Sequence, residues 1–283
     1  MISKFIVTLL LLTSNVIASP LIVVTIKPIH SIVSALTHDI SSPKLLLNSK
    51  QSAHNFNLKP SQLNLVMKSD LLIAVDNHFE SDLNKIIKNI DTTKKIIITG
   101  SSEIHLLPTT DGSSKNYHLW LDINNMKLIA QDISIMLIRI DQKNKDTYQK
   151  NLKSLIVKLD ELTNGIKNKL TNYNNSPIAT YSDSFQYFID AYELHNPVVV
   201  TKYHGDRLSI YSALKARKAI KNNEIKCMLS DKEVPTSRLN VIADGLNVNI
   251  YSIDIMGIDI EKGQDHYIKL MNTITDKVHE CLQ

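Results

Sequence analysis

The sequence predicts an α/β protein of two similar lobes, each built on a mainly parallel sheet, with one long helix joining them. Three observations predict it. Short apolar runs alternate with helical patterns between residues 21 and 99. The same alternation resumes after the turn-like cluster Asn172-Tyr173-Asn174-Asn175-Ser176-Pro177. Between the two series, from residue 124 to residue 170, apolar residues recur only at helical spacing. Strands that alternate with helices form βαβ units, because parallel neighbours need a crossover connection.

The elements follow in order. Lys4, the apolar run over residues 5–12 and the small residues Ala18-Ser19 read as a cleavable signal peptide, residues 1–19, cut after Ala18 or Ser19. The run is too short to span a bilayer comfortably. An uncleaved anchor or a buried strand is the plainer alternative. Residues 21–26 (LIVVTI) form a buried strand that stops at Lys27-Pro28, and residues 29–36 take helical spacing. Residues 44–47 form a second strand. Residues 60–68 form a short helix with Leu63, Val66 and Met67 on one face. Residues 70–75 and 95–99 complete the first series.

Asp122 is placed to cap a helix that carries Met126, Ile129, Ile133, Met136, Leu137 and Ile140. A polar break at residues 141–145 leads to a lysine-rich helix over residues 145–170, with Leu152, Leu155, Ile156, Leu159 and Leu162 along it. In the second lobe, residues 177–181, 197–201, 225–229 and 249–253 read as strands. Residues 185–192, 209–221 and 264–279 read as helices. The expected division is a lobe over 20–140, a linking helix over 141–172 and a lobe over 173–283.

Composition narrows the function. A chain of 283 residues can build two modest cores. The net charge of +4 is spread along the chain without a basic block, which argues against nucleic-acid binding. No later segment is long and apolar enough to be transmembrane. Two cysteines, Cys227 and Cys281, in an exported chain favour one disulfide, with two buried thiols as the alternative.

Two histidines have flanks that suggest metal binding. His118 opens Tyr117-His118-Leu119-Trp120-Leu121-Asp122, a segment that leads into a helix. His54 lies in Ser52-Ala53-His54-Asn55-Phe56-Asn57-Leu58-Lys59-Pro60-Ser61. Either histidine alone would read as a structural or surface residue. Together with the order of the later motifs, they resemble the zinc and manganese group of solute-binding proteins of bacterial ABC uptake systems. In that family an early loop reads S-x-H-x-(Y/F)-x-L-(K/R)-P-S and a second motif reads H-x-W-(L/M)-(S/D). A ligating aspartate follows a late strand, matched here by Asp254 in Ser252-Ile253-Asp254-Ile255-Met256-Gly257. The resemblance runs from Lys27 to Cys281, and Cys227 and Cys281 look like the paired cysteines of the zinc branch.

The resemblance implies a periplasmic protein that captures a divalent metal between its lobes. Zinc is the first expectation, with manganese or iron as alternatives. The ion would be delivered to a membrane permease of the ABC type, and the carrier would act as a monomer. His54 and His118 would come from one lobe and Asp254 from the other. The long helix would limit hinge opening, so release would involve local loop movement.

The third family ligand is where the chain departs. His (zinc branch) or Glu (manganese branch) is expected where Ser182 stands, in Tyr181-Ser182-Asp183-Ser184-Phe185. A neutral hydroxyl is a poor zinc ligand. Water can complete the set, Asp183 or His204 can substitute, or the site is weakened. The His/Asp-rich loop of the zinc branch is effectively absent, since residues 101–117 hold only His105 and Asp111, and His105 reads as exposed. His30 reads as a surface or cleft-wall residue, and Asp231 as a residue that orients a ligand. A surface adhesin with a weakened metal site is the alternative function. It is distinguished by where the mature chain is found.

An enzyme is not expected. The chain contains no H-E-x-x-H, no G-x-S-x-G and no phosphate-binding glycine motif. Seven glycines leave little material for phosphate cradles, and a zinc hydrolase would need a general base with motif support.

Overall fold

Both sheets are parallel throughout and carry the same strand order. The computed structural model describes residues 19–47, 56–201 and 208–283. The first lobe contains β1 (Ile22–Val24), α1 (Lys27–Leu36), β2 (Lys44–Leu45), α2 (Pro60–Met67), β3 (Leu71–Ala74), α3 (Asn84–Asn89) and β4 (Lys95–Ile97). Then come α4 (Ile123–Ile140) and α5 (Lys145–Leu170). The second lobe contains β5 (Ile178–Thr180), α6 (Gln186–Ala191), β6 (Val198–Val199), α7 (Ile210–Asn222), β7 (Cys227–Asp231), α8 (Thr236–Ala243), β8 (Asn249–Ile253) and α9 (His266–Leu282). The strand orders are β2-β1-β3-β4 and β6-β5-β7-β8.

The central strands are buried on both faces, which is why their sequences are continuous apolar runs rather than alternations. Ile22, Val23 and Val24 of β1 and all four residues of β3 are buried. Paired lengths are shorter than the apolar runs. β1 aligns only Ile22, Val23 and Val24 with Leu71, Leu72 and Ile73.

Helix ends follow local chemistry. Pro28 sits in the first turn of α1, where a missing N–H costs nothing. Asp122 caps α4, its carboxylate accepting from the Asn124 N–H at 2.8 Å. The corner between α4 and α5 is fastened by Asp141, whose Oδ2 accepts from Asn144 Nδ2 and from the Tyr148 hydroxyl.

The 26-residue α5 is about 39 Å long at the α-helical rise. It buries Tyr148, Leu155, Leu159, Leu162, Ile166 and Leu170 along one face. It packs against α1 and α4 and against α9 of the second lobe. One hydrophobic core therefore runs from β1 through α4 and α5 to Cys281. A smaller core, with Tyr181, Ala216, Ile220 and Met228, lies within the second lobe. Cys227 of β7 is disulfide-bonded to Cys281 of α9, with Cα atoms 5.2 Å apart.

Two expectations need correction. Leu63 and Met67 of α2 are exposed; the side of this short helix that meets the core carries Val66, which is buried, and Leu65, which is partly buried. The last helix runs on to Leu282 rather than ending near residue 279, because Cys281 must reach the core to meet Cys227.

Candidate metal site

In open parallel sheets, ligand groups collect beyond the carboxyl ends of the strands. The β5 strand is followed by Tyr181-Ser182-Asp183 and β8 by Asp254. His118 lies on the segment just before the short 3-10 turn Leu119–Leu121, which Asp122 connects to α4.

His118 is 5% exposed. Its Nδ1 lies 2.8 Å from Asn116 Oδ1, which also accepts from the His118 backbone N–H at 3.0 Å. A carbonyl oxygen can only accept, so Nδ1 carries the proton and Nε2 carries the lone pair, the tautomer that binds a metal through Nε2. Asn116 is itself held, its Nδ2 donating to Asp183 O at 2.7 Å and to Gln186 Oε1 at 3.0 Å. The residue that orients His118 is therefore anchored on the second lobe. Trp120 packs against the imidazole, with ring centroids 5.3 Å apart.

Trp120 also crosses between the lobes. Its Nε1–H donates to Ile255 O at 2.9 Å, and its own carbonyl accepts from the Tyr267 hydroxyl at 2.7 Å. Ile255 adjoins Asp254, and Asp183 adjoins Ser182. Two hydrogen bonds from residues two positions either side of His118 thus draw the segments of Ser182 and Asp254 towards it.

The Asp254 carboxylate is set by its own loop. Oδ1 accepts from the Met256 N–H at 3.0 Å and Oδ2 from the Ile258 N–H at 2.5 Å. Lys27 of α1 clasps that loop, its Nζ donating to the carbonyls of Gly257, Ile258 and Ile260 at 3.1, 2.7 and 2.9 Å. Burial lowers the Lys27 pKa, while Asp254 and Asp259 pull it back up. Gly257 has φ of +66°, and a Cβ there would lie 2.5 Å from the His266 ring. Only glycine fits this bend against the ring.

Ser182 is buried, with its Oγ 2.7 Å from Ser184 Oγ. Asp183 is buried beside it. His54 and His204 lie outside the described residues. Among the described residues, no three His, Cys, Asp or Glu side chains gather closely enough to hold a metal ion. His118 and Asp254 are thus the described histidine and carboxylate from the matched motifs, with Ser182 and Asp183 on the adjoining turn.

Other sequence-marked residues fall elsewhere. His30 is buried rather than on a surface or cleft wall. Its Nε2 lies 3.1 Å from Pro43 O, and burial lowers its pKa to about 4. The reason is that α1 is sandwiched, with Ile29, Ser31 and Ile32 buried around it. His105 is exposed. Asp231 is buried at the end of β7, its Oδ1 accepting from the Glu233 N–H at 2.8 Å.

Sequence reasoning missed Asn116, Lys27, Tyr267 and Glu80. Asn116 had a signal, a carboxamide two residues before His118. Glu80 had none, since a glutamate after Phe79 reads as a surface residue. It is fully buried, and both its oxygens accept hydrogen bonds, from Thr25 Oγ1 and the N–H groups of Val75 and Asp76. Burial raises its pKa to about 7 despite those bonds.

Two parallel-sheet lobes that share a core, with His118 on a loop of the first and Asp254 and the Ser182 turn following strands of the second, have the arrangement of a two-lobed solute-binding protein. The chain belongs to the ZnuA family, the periplasmic component A of the zinc-uptake complex, whose family model matches residues 22–281. This is a family of solute-binding proteins for ABC uptake, not of enzymes. The high-affinity zinc uptake system protein ZnuA of Brucella abortus (strain 2308) is 23% identical over 304 residues, covering 92% of this chain and 91% of that protein. The iron ABC transporter substrate-binding lipoprotein MtsA of Streptococcus pyogenes serotype M1 is 26% identical over 272 residues, covering 89% and 87%. A crystal structure of ZnuA superposes with a TM-score of 0.81 at 18% identity, covering 94% of this chain and all of that one.

Proposed function

We propose that the protein captures a divalent transition metal, zinc first, and delivers it as a monomer to the permease of an ABC importer. It would work in the periplasm after removal of residues 1–19. The lobes would span residues 20–140 and 173–283, with residues 141–172 as the link. The observation that carries the reading is the tautomer lock on His118, made by a residue tied to the opposite lobe. His54, His118 and Asp254 are the ligands, with the position near Ser182 filled by water, Asp183 or His204. Two imidazoles and one carboxylate suit zinc, and the carboxylate offsets part of its charge. Lys27 holds the Asp254 loop, and the shared core makes loop movement rather than hinge opening the route of release.

Manganese or iron is the second reading. It is favoured by the iron transporter relative and by the oxygen that replaces a nitrogen ligand at Ser182.

Competition with a chelating dye tests the proposal. His54→Ala and His118→Ala should each weaken zinc binding at least tenfold, on the order of 1.4 kcal/mol. Unchanged affinity in either variant removes that residue from the site. Metal analysis of protein purified from its native periplasm decides between zinc, manganese and iron.

A further inference from the structure

We propose that the outward face of α7 is a docking surface for an anionic lipid bilayer, with the first turns of the helix dipping into the headgroup region. Ile210, Tyr211 and Leu214 are 82%, 77% and 62% exposed. Lys215, Lys218 and Lys221 are exposed as well. At 3.6 residues per turn these six positions share one outward stripe, apolar in the first half of the helix and cationic in the second. The opposite side is already satisfied: Ala213, Ala216 and Ile220 are buried, and α7 packs on α8 and β6. The apolar stripe is therefore additional to the core of the lobe.

Charge indicates what covers it. No residue of α7 is acidic, nor is any residue of the neighbouring α8. Among the described residues no ion pair engages the three lysines. In sequence they are separated by two residues each and form no block, but the helix gathers them into one row. Arg217 is turned away from that row, its Nη1 donating to the carbonyls of Val241 and Ile242 at 2.9 and 3.0 Å. A cationic, apolar surface fits an anionic partner with an apolar interior. Lysine is depleted at protein–protein interfaces, whereas helices that lie on bilayers are rich in it, so lipid is favoured over an acidic protein. Tyrosine suits the boundary between headgroups and acyl chains, and lysine stems reach back to the phosphates. No described helix is long and apolar enough to cross a membrane, so the contact is superficial.

The helix end is fitted for such a contact. The Ser209 Oγ accepts from the Ser212 N–H at 3.0 Å, which satisfies one first-turn donor that an apolar medium would leave bare. Only residues 223–226 separate α7 from β7, so the far end of α7 lies near the start of that strand. The first turn of α7 then lies towards the carboxyl edge of the second sheet, the edge that Ser182 and Asp254 follow. A bilayer held there would face the mouth of the candidate metal site. That use rests on the proposed function, whereas the lipid contact itself does not.

Cosedimentation with vesicles tests this. It uses the chain from residue 20, which holds every element of both lobes and lacks the apolar run at residues 5–12. The chain should bind vesicles of phosphatidylglycerol mixed with phosphatidylcholine, bind pure phosphatidylcholine far less, and be released by salt. Ile210→Ser/Leu214→Ser and Lys215→Gln/Lys218→Gln/Lys221→Gln should each weaken binding by at least about tenfold. All five residues are exposed, so both variants are expected to fold, and circular dichroism checks that. Ile135→Ser removes an equally exposed apolar side chain from α4 and should change nothing. Zinc affinity should stay unaltered in the α7 variants, and His118→Ala should bind vesicles as the unaltered chain does, which separates this surface from the proposed metal site. The proposal is overturned if the chain does not sediment with anionic vesicles, if neutral vesicles bind it equally, or if either α7 variant binds unchanged. An equal loss in Ile135→Ser would overturn it by showing unspecific adhesion. Binding to polyglutamate without binding to vesicles would overturn it in favour of an acidic protein partner.

Discussion

Asn116 shows how much a single amide can decide. Its carbonyl accepts from His118 Nδ1 and its amino group donates across to Asp183 O. Without it, His118 could take either tautomer and rotate. Partners that orient a metal-binding histidine typically contribute 10–100-fold to metal affinity. Asn116→Ala is therefore expected to weaken zinc binding by at least tenfold. Dye competition reads the affinity, and the urea midpoint shows whether the fold has suffered as well.

Ser182 is the complementary case: in the proposed site it stands where the family resemblance implies a strong ligand. Ser182→His should tighten zinc binding by replacing bound water with an aimed imidazole. The gain should grow between about pH 6 and 8, because the added ring must be neutral to bind and its reference pKa is about 6.5. If affinity stays flat while His204→Ala loses tenfold, His204 already fills the position.

At the scale of elements, α1 links stability to pH. It carries His30, buried among apolar neighbours, with a pKa lowered to about 4. The unfolded ring takes its proton at about 6.5, so below that value the unfolded state binds more protons than the folded one. The stability from the neutral ring is complete above about pH 6.5 and is lost as pH falls towards 4. Between pH 7 and 5 the loss should be about 2 kcal/mol. Glu80 acts in the opposite sense: a carboxyl raised to about 7 favours the folded state most at low pH and loses that contribution as pH rises through about 4.5 to 7. A differential measurement isolates the histidine. Urea unfolding at the two pH values should show a steeper loss in the unaltered chain than in His30→Gln, and equal slopes would contradict the assignment.

Over the whole molecule, the disulfide and the shared core act together. The Cys227–Cys281 bond closes a loop with a sequence separation of 54 residues. On the chain-entropy model such a loop contributes about 4 kcal/mol. Reducing it, or making Cys227→Ser/Cys281→Ser, should lower stability by up to that amount, read from urea midpoints. The bond ties α9 to the second sheet, and α9 packs on α1 and α5. Loosening α9 therefore also loosens the seat of Tyr267, whose hydroxyl holds Trp120 O. Mass spectrometry of the non-reduced protein should show the two cysteine peptides linked.

Some of this was legible in the chain and some was not, for physical reasons. Apolar runs such as residues 21–26 and 70–75 exposed the parallel sheets, because strands buried on both faces have no polar side to show. The spacing of Leu155, Leu159 and Leu162 revealed α5, because a helix with one buried face repeats every 3.6 residues. Asp122 marked the start of α4, since capping is a local bond between residues two apart. His54, His118 and Asp254 could be proposed as ligands from sequence because their flanks match the family's motifs. What sequence could not supply were bonds between residues far apart in the chain. Lys27 meets the 257–260 loop, Asn116 meets Asp183, and Trp120 meets Ile255, each across the junction of the lobes. Their partners are backbone carbonyls, which every residue has, so no side-chain pattern records them. The burial of His30 and Glu80 was hidden likewise. The sequence by itself determined the two lobes, their linking helix and the residue types of the candidate site. Only the tertiary structure decided how those residues are aimed, because aim comes from packing and from bonds between distant segments.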